Sequence, residues 1–308
     1  MGTKRVVLIG AEETGRRALA SLISAKANLI AVFTSPHDLP TYQNVYEPNR
    51  HLNRNIISVE DINAPSVINK LRALMPDLIY QVGWSQMLSS EVLKSASEAC
   101  VGMHCSLLPK HRGRAPIPWA IILGLRRSGM TLFYMIEEAD KGDIIGQEAF
   151  DIGPHDTATD VYSKSVEAAA KLIETYHPLL ERGEAPRIAQ DLSRSDYWRR
   201  RMPQDGLIDW DRTANHLYDW IRALTHPFPG AFTYWRNQKL TVWQAEPEGE
   251  GEYSQGGIIL DTDPRNGVLV TTATGALRLH RVQLEGENEA PAASFAVCRK
   301  AEKGEILG

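Results

Sequence analysis

Cysteine is scarce in this chain. Three thiols, Cys100, Cys105 and Cys298, occur in 308 residues, an odd number with no C-x-x-C spacing. That excludes a disulfide scaffold and a cysteine-built zinc site, and reads as reduced thiols in a cytoplasmic protein without a metal. Long hydrophobic runs are missing as well. No stretch approaches eighteen apolar residues, and Met-Gly-Thr-Lys-Arg leads straight into a short strand, so neither a membrane span nor a signal peptide is expected. Nor is charge of one sign in excess: 34 Lys and Arg face 38 Asp and Glu, a formal net charge of -4, which argues against general nucleic-acid binding. A dinucleotide fingerprint is lacking too. Gly10 and Gly15 follow the first apolar run, but their spacing is not G-x-G-x-x-G, so a tight strand-to-helix turn and no nicotinamide cofactor are expected.

What is present suits a globular α/β protein. Apolar residues make up 43% and charged residues 23%, close to ordinary usage, and the length suggests two domains. Short β-branched apolar runs at Arg5 to Gly10, Leu29 to Phe33, Asp77 to Val82, Ala99 to Cys105, Met130 to Ile136 and Ile144 to Phe150 read as strands. Helical spacing between them, at Glu13 to Ser24, Val67 to Met75, Ser90 to Ser95, Ile117 to Leu123 and from Thr157 to about Gly183, predicts a doubly wound, mostly parallel, Rossmann-like sheet over residues 1–183. Residues 184–202 are polar, carry Pro186 and Arg199-Arg200-Arg201, and read as a linker; the arginines suit a solvated face or, less well, a diphosphate. Residues 203–308 begin with a helix stripe (Ala214, Leu217, Trp220, Ile221, Leu224) and continue as short alternating runs at 232–235, 239–245, 257–261, 267–272 and 276–283. They read as a smaller β-barrel, OB-like domain. Glu246 to Gln255 reads as a solvated loop, and Glu285 to Ala292 as a polar, mobile one.

Two strand-end loops hold the polar chemistry. The run ending Gly102-Met103-His104-Cys105 breaks into Ser-Leu-Leu-Pro-Lys-His-Arg-Gly-Arg-Ala-Pro, residues 106–116. The next strand closes with Glu137-Glu138-Ala139-Asp140-Lys141-Gly142-Asp143. Open α/β sheets keep their sites at strand C-terminal ends, so a histidine and an aspartate delivered there are candidates for acid–base work. Taken singly, His104 reads better as a core histidine and Asp140 as a turn former. Trp84, in the loop Gly83 to Leu88, suits a core or a pocket wall alike.

The full wording of these loops resembles the formyltransferases that use N10-formyltetrahydrofolate. It is closest to the branch acting on nucleotide-linked amino sugars, with methionyl-tRNA formyltransferase a near relative. Gly206-Leu-Ile-Asp-Trp210 and Ile221 to Phe232 resemble the family at the entry to its C-terminal domain. The resemblance covers nearly the whole chain, most closely 83–148 and 203–232. It implies formyl transfer from N10-formyltetrahydrofolate to the primary amine of a nucleotide-linked amino sugar, for surface glycans, by a cytoplasmic enzyme without NAD or metal. No membrane or nucleic-acid partner is expected, and a homodimer is entertained. Catalysis is implied for His104 and Asp140, and folate contacts for Gln86, Met87, Leu88, Arg114, Ile136, Glu137, Glu138 and Ala139. Lys110 and Arg112 are candidates for the acceptor's phosphates.

One position departs. The family places an asparagine two residues before the histidine, where this chain has Gly102. A side-chain donor to an oxyanion can be worth about 3 kcal/mol in other enzymes. Its replacement here is open between the Gly102 amide, a water in the vacated space, and a neighbour such as Ser106 or Gln86; impaired chemistry, or a silent folate- or nucleotide-binding protein, is the other reading. In the tRNA branch a basic insertion is expected near residues 34–55. Here Asp38 and Glu47 cancel Arg50 and Arg54, which makes tRNA a poor acceptor.

Overall fold

The computed structural model describes residues 3–38 and 56–308 and divides the chain into two compact units. Most of the 34–55 connection, with Pro40, Tyr42, Tyr46, Glu47, Pro48, Arg50 and Arg54, lies outside the described residues.

The first unit comprises residues 1–116, 127–151 and 163–198. Its sheet runs β3-β2-β1-β4-β5-β7-β8, where β1 is Arg5–Gly10, β2 Asn28–Thr34, β3 Ile56–Ser58, β4 Leu78–Val82, β5 Ala99–His104, β7 Arg127–Tyr134 and β8 Ile144–Asp151. The pairs from β3 to β5 are parallel, while β5-β7 and β7-β8 are antiparallel. The apolar runs form strands because both faces are covered. Val6 and Leu8 pack with Leu19 and Leu22 of helix α1 (Glu12–Ser24) and with Leu172 and Ile173 of the long helix Ala158–Arg182. Val7 and Ile9 point the other way, toward Ile68 and Leu71 of α2 (Pro65–Leu74) and Val92 of α3 (Ser90–Leu93). Each such leucine or isoleucine contributes about 1.5–3 kcal/mol by leaving water.

The order reverses between β1 and β4, the switch point at which open α/β sheets form a crevice. The turn after β1 is a close contact and not a phosphate cradle. A Cβ on Gly83, at φ 69°, would stand 2.2 Å from the Ala11 carbonyl oxygen and 3.0 Å from the Gly15 nitrogen. The strand-to-helix turn expected around Gly10 and Gly15 is the one observed.

The second unit comprises residues 117–126, 152–162 and 199–308. Its antiparallel sheet runs β10-β11-β14-β13-β12, with a short β15 (Ala290–Pro291) on β14. The strands are β10 Ala231–Trp235, β11 Gln238–Glu252, β12 Ile259–Asp263, β13 Gly267–Thr271 and β14 Thr274–Leu284. The helix Ala214–Leu224 starts on Thr213, whose hydroxyl accepts the His216 amide, and buries Leu217, Ile221 and Leu224.

Two expectations change here. Glu246 to Gln255 is not a solvated loop throughout, because β11 continues to Glu252 along β14. Every residue from Glu246 to Glu252 is exposed, so hydrophobic patterning carries no signal; backbone pairing and the Arg278–Glu248 ion pair hold the strand. Glu285 to Ala292 is likewise tied down. Glu289 accepts from Arg281 and lies 3.1 Å from His226 Nε2, and a helix, Ala292–Arg299, follows where none was expected.

The segment read as a linker, 184–202, is engaged as well. Ile188 exchanges backbone hydrogen bonds of 2.8 and 3.0 Å with Ile144. Further on, β9 (Tyr197–Trp198) pairs in parallel with β6 (Arg112–Gly113). All three cysteines are free, and burial pushes the Cys100 thiol up to about 12.

Candidate active site

A cavity of about 270 Å3 opens at the C-terminal ends of β4 and β5, lined wholly by residues of the first unit. Three loops enclose it: Trp84 to Leu88, Gly113 to Pro116, and Met135 to Asp140.

The first loop is clamped from below. Gln81 Nε2, at the end of β4, donates to the carbonyls of Gln86 (2.9 Å) and Trp84 (3.3 Å). The Gln86 side chain turns away from the cavity, donating to the Glu60 carbonyl and accepting the Ile62 amide. Asn63 completes the clamp by donating to the Met87 carbonyl and accepting from Ser89 N. Gln86, Met87 and Leu88 thus offer a pre-ordered backbone edge, whose carbonyl oxygens keep a second lone pair for a ligand.

His104 ends β5 and is 8% exposed. Its Nε2 lies 2.8 Å from the His111 carbonyl, which can only accept, so Nε2 carries a proton. A neutral ring therefore holds its lone pair at Nδ1, which faces Asp140 Oδ1 across 3.8 Å. That gap is too long for a hydrogen bond, close enough for charge attraction, and suited to a bridging water or a substrate hydrogen. Asp140 is fixed by its Oδ2, which accepts the Gly113 amide at 3.0 Å, and adopts φ 58°. The base-bearing and acid-bearing loops are joined through this bond.

His111 stacks on Trp198, with ring centroids 4.1 Å apart and planes within 8°. Burial lowers its pKa from the usual imidazole value, against the pull of Asp196.

Of the residues expected to contact folate, Gln86, Met87, Leu88, Arg114, Ile136 and Ala139 line the cavity. Glu137 and Glu138 belong to the same loop but are exposed and not among the lining. Lys110 is exposed away from the cavity, and Arg112 is 5% exposed with Nη2 held 2.7 Å from Gln190 Oε1, so Arg112 is unavailable to a phosphate. The reason is the local strand pairing of Arg112 with Tyr197, which turns the guanidinium inward.

Gly102 brings the largest surprise. It shares the His104 face of β5 and pairs with Gln81 on one side and Phe133 on the other. A Cβ there would meet Met135 Cγ and Sδ at 3.0 Å and Phe133 Cζ at 3.4 Å. The Met135 thioether and the Phe133 ring crowd the space directly beside Gly102, where a water was one of the expected occupants. Neither proposed neighbour replaces the missing donor: Ser106 is fully buried and donates to the Lys110 carbonyl, and the Gln86 amide is committed as above.

Tyr197, Met103, Phe133 and Met135 also line the cavity without having been picked out from the sequence. The aromatic pair Tyr197-Trp198 inside an otherwise polar stretch was the available signal for the first.

Among the described residues, no group of His, Cys, Asp and Glu could hold a metal ion, and no helix is long and apolar enough to cross a membrane.

An imidazole, a carboxylate and an ordered backbone edge thus meet around one strand-end cavity of a doubly wound α/β unit. The chain belongs to the formyl transferase family, matching the formyl transferase domain over residues 4–175 and the formyl transferase C-terminal domain over residues 201–299. Its fold is shared by HypX from Aquifex aeolicus solved with tetrahydrofolic acid (18% identity, TM-score 0.70, 100% of this chain and 51% of that one). It is shared too by a 4-N formyltransferase from Francisella tularensis (24% identity, TM-score 0.64, 80% and 98%). A third case is WlaRD, a sugar 3N-formyl transferase solved with dTDP and 5-N-formyl-THF (15%, TM-score 0.64, 94% and 100%). The chain spans about half the length of the HypX chains. At these identities the likeness establishes the fold.

Proposed function

We propose that the chain transfers a formyl group from N10-formyltetrahydrofolate to the primary amine of a nucleotide-linked amino sugar. The observation that carries this reading is the cavity in which His104 Nδ1 faces Asp140 beside the backbone edge of Gln86 to Leu88. HypX and WlaRD, which share the fold, were solved with tetrahydrofolic acid and 5-N-formyl-THF, and two fold neighbours are sugar or 4-N formyltransferases, which supports both donor and acceptor class.

The residues supply the chemistry as follows. The pterin edge meets main-chain groups of 86–88, with Ile136, Ala139 and Arg114 around it. The acceptor amine attacks the formyl carbon, forming the new C–N bond. Its excess proton passes to His104 Nδ1, directly, through one water or by way of Asp140. The resulting imidazolium, flanked by the carboxylate, stabilises the tetrahedral oxyanion and returns the proton to folate N10 as the C–N10 bond breaks. Gly102 brings no side-chain donor, so the imidazolium is assigned the stabilisation of the oxyanion.

Methionyl-tRNA is the second acceptor to test, since a methionyl-tRNA formyltransferase from Clostridium thermocellum shares the fold at 20% identity and TM-score 0.58. The balanced charge of residues 34–55 disfavours it, because holding a phosphate backbone needs an excess of Lys and Arg. The experiment is incubation with N10-formyltetrahydrofolate and either a panel of amino-sugar nucleotides or initiator methionyl-tRNA, following folate release and product mass. Turnover with at least one sugar nucleotide and little with tRNA is expected; equal or faster tRNA formylation reverses the choice of acceptor. Tight folate binding with no transfer to any amine turns the reading to a silent binding protein.

A further inference from the structure

We infer that Gln190 and Arg112 form a positioning pair that holds the Asp140 loop in its working conformation; this rests on the proposed role of Asp140. Gln190 Nε2 donates to two carbonyls of that loop, Asp140 at 2.9 Å and Gly142 at 2.7 Å, while its Oε1 accepts from Arg112 Nη2 at 2.7 Å. One side chain thus spans the loop and a buried guanidinium.

The loop needs such a brace. Asp140 is in the left-handed region, which is unfavourable for a non-glycine residue and persists only where its surroundings over-determine it. Two residues on, the chain passes so close to β7 that a Cβ on Gly142 would stand 1.6 Å from the Tyr134 carbonyl oxygen. The backbone exchange between Ile188 and Ile144 sets the level at which Gln190 meets the loop. Arg112 fixes the amide's orientation, because a guanidinium only donates and so selects Oε1, leaving Nε2 for the carbonyls. Arg112 Nε is buried without a partner, so the guanidinium depends heavily on this contact.

The brace ends on the site itself. Asp140 Oδ2 holds the Gly113 amide and Oδ1 faces His104, so a displaced loop changes both. Gln190 touches neither substrate nor reacting atoms; it acts through Asp140.

Gln190→Glu is the discriminating variant. It keeps an acceptor for Arg112, now as an ion pair, but replaces the donor to the two carbonyls with a second acceptor. The variant should fold with a Tm close to wild type, lose about tenfold or more in kcat, and keep the KM for N10-formyltetrahydrofolate within about threefold. Amide hydrogen exchange at Gly113 should accelerate, while Ile79 in β4 stays protected. Gln190→Met, which removes every hydrogen bond at similar size, should show the same Gly113 exchange effect with a lower Tm. Wild-type kcat together with unchanged Gly113 exchange in Gln190→Glu overturns the inference, as does slow exchange at Gly113 in both variants. If the wild-type protein transfers no formyl group, the proposed function fails by that result, and the exchange measurement still decides the brace.

Discussion

Two buried histidines lie in the same unit, 8% and 2% exposed, and do different things. His104 stands at the open end of β5, its Nε2 on a carbonyl, its Nδ1 toward a carboxylate, with a cavity beside it. His177 is packed on the helix Ala158–Arg182 against the middle of β4. Its Nδ1 lies 2.9 Å from the Tyr80 hydroxyl; its Nε2 has no hydrogen-bond partner and is 3.7 Å from Glu181 Oε1, also unpartnered. Burial pushes the His177 pKa down to about 4. Burial holds the core histidine neutral even with Glu181 close by, whereas the one at a strand end opens onto a cavity that a substrate can enter. Neither burial nor a nearby carboxylate distinguishes a site from a core, since both histidines have each; the cavity beside His104 does.

The sharpest way to break this comparison is by activity. His104→Ala and Asp140→Asn should each lower formyl transfer by about a hundredfold to ten-thousandfold in folded protein, while His177→Gln leaves kcat within a few fold. Near-normal rates in either of the first two, or a collapse in the third, would merge the two histidines into one class.

The next effect is on stability, and it falls on His177. Its folded pKa is about 4, below the unfolded imidazole value. Folding stability is therefore fully present above roughly pH 6.5 and declines as pH falls toward 4, because only the unfolded state takes up the proton. The span corresponds to a loss on the order of 3 kcal/mol, complete near pH 4. Denaturant unfolding from pH 7 to 4 should show this decline in wild type and a flatter profile in His177→Gln, whose side chain can still hydrogen-bond to Tyr80. Matching profiles would show that His177 takes up its proton as readily in the folded state as in the unfolded one.

The smallest effect concerns Gly102, two residues before His104 on the same face of β5. Gly102→Asn should change turnover by about tenfold or less, equivalent to roughly 1.4 kcal/mol, because the added side chain must first displace Met135. Adding Met135→Ala clears that space, and the double variant should turn over faster than Gly102→Asn alone. Equal rates for single and double variants would mean that the thioether is not what keeps an amide from the formyl oxygen.

The sequence made some of this legible and concealed the rest for identifiable reasons. Strands β1, β2, β4, β5 and β7 announce themselves as apolar β-branched runs because both faces are buried. The outer part of β11, Glu246 to Glu252, carries no apolar face, so its pairing with β14 leaves no pattern. His104 and Asp140 stood out through the full wording of their two strand-end loops, which resembles the family's; singly, they read better as a core histidine and a turn former. Gln190, 50 residues from Asp140, and Met135, which crowds the Gly102 space, did not stand out, since their roles arise from contacts across the sheet that local spacing does not encode. Arg112 misled for the opposite reason: basic residues in a loop suggest phosphate, yet here the strand pairing with Tyr197 buries the guanidinium.

The central claim is formyl transfer in the His104 cavity, and a single-turnover experiment meets it most directly. Protein preloaded with N10-formyltetrahydrofolate is mixed with an amino-sugar nucleotide, and released folate and formylated product are followed together in wild type and in His104→Ala. The account predicts one formylated product per folate released in wild type, with folate still bound but no product above background in the variant. Equal product from both proteins, or bound folate with no transfer to any amine in wild type, would contradict it.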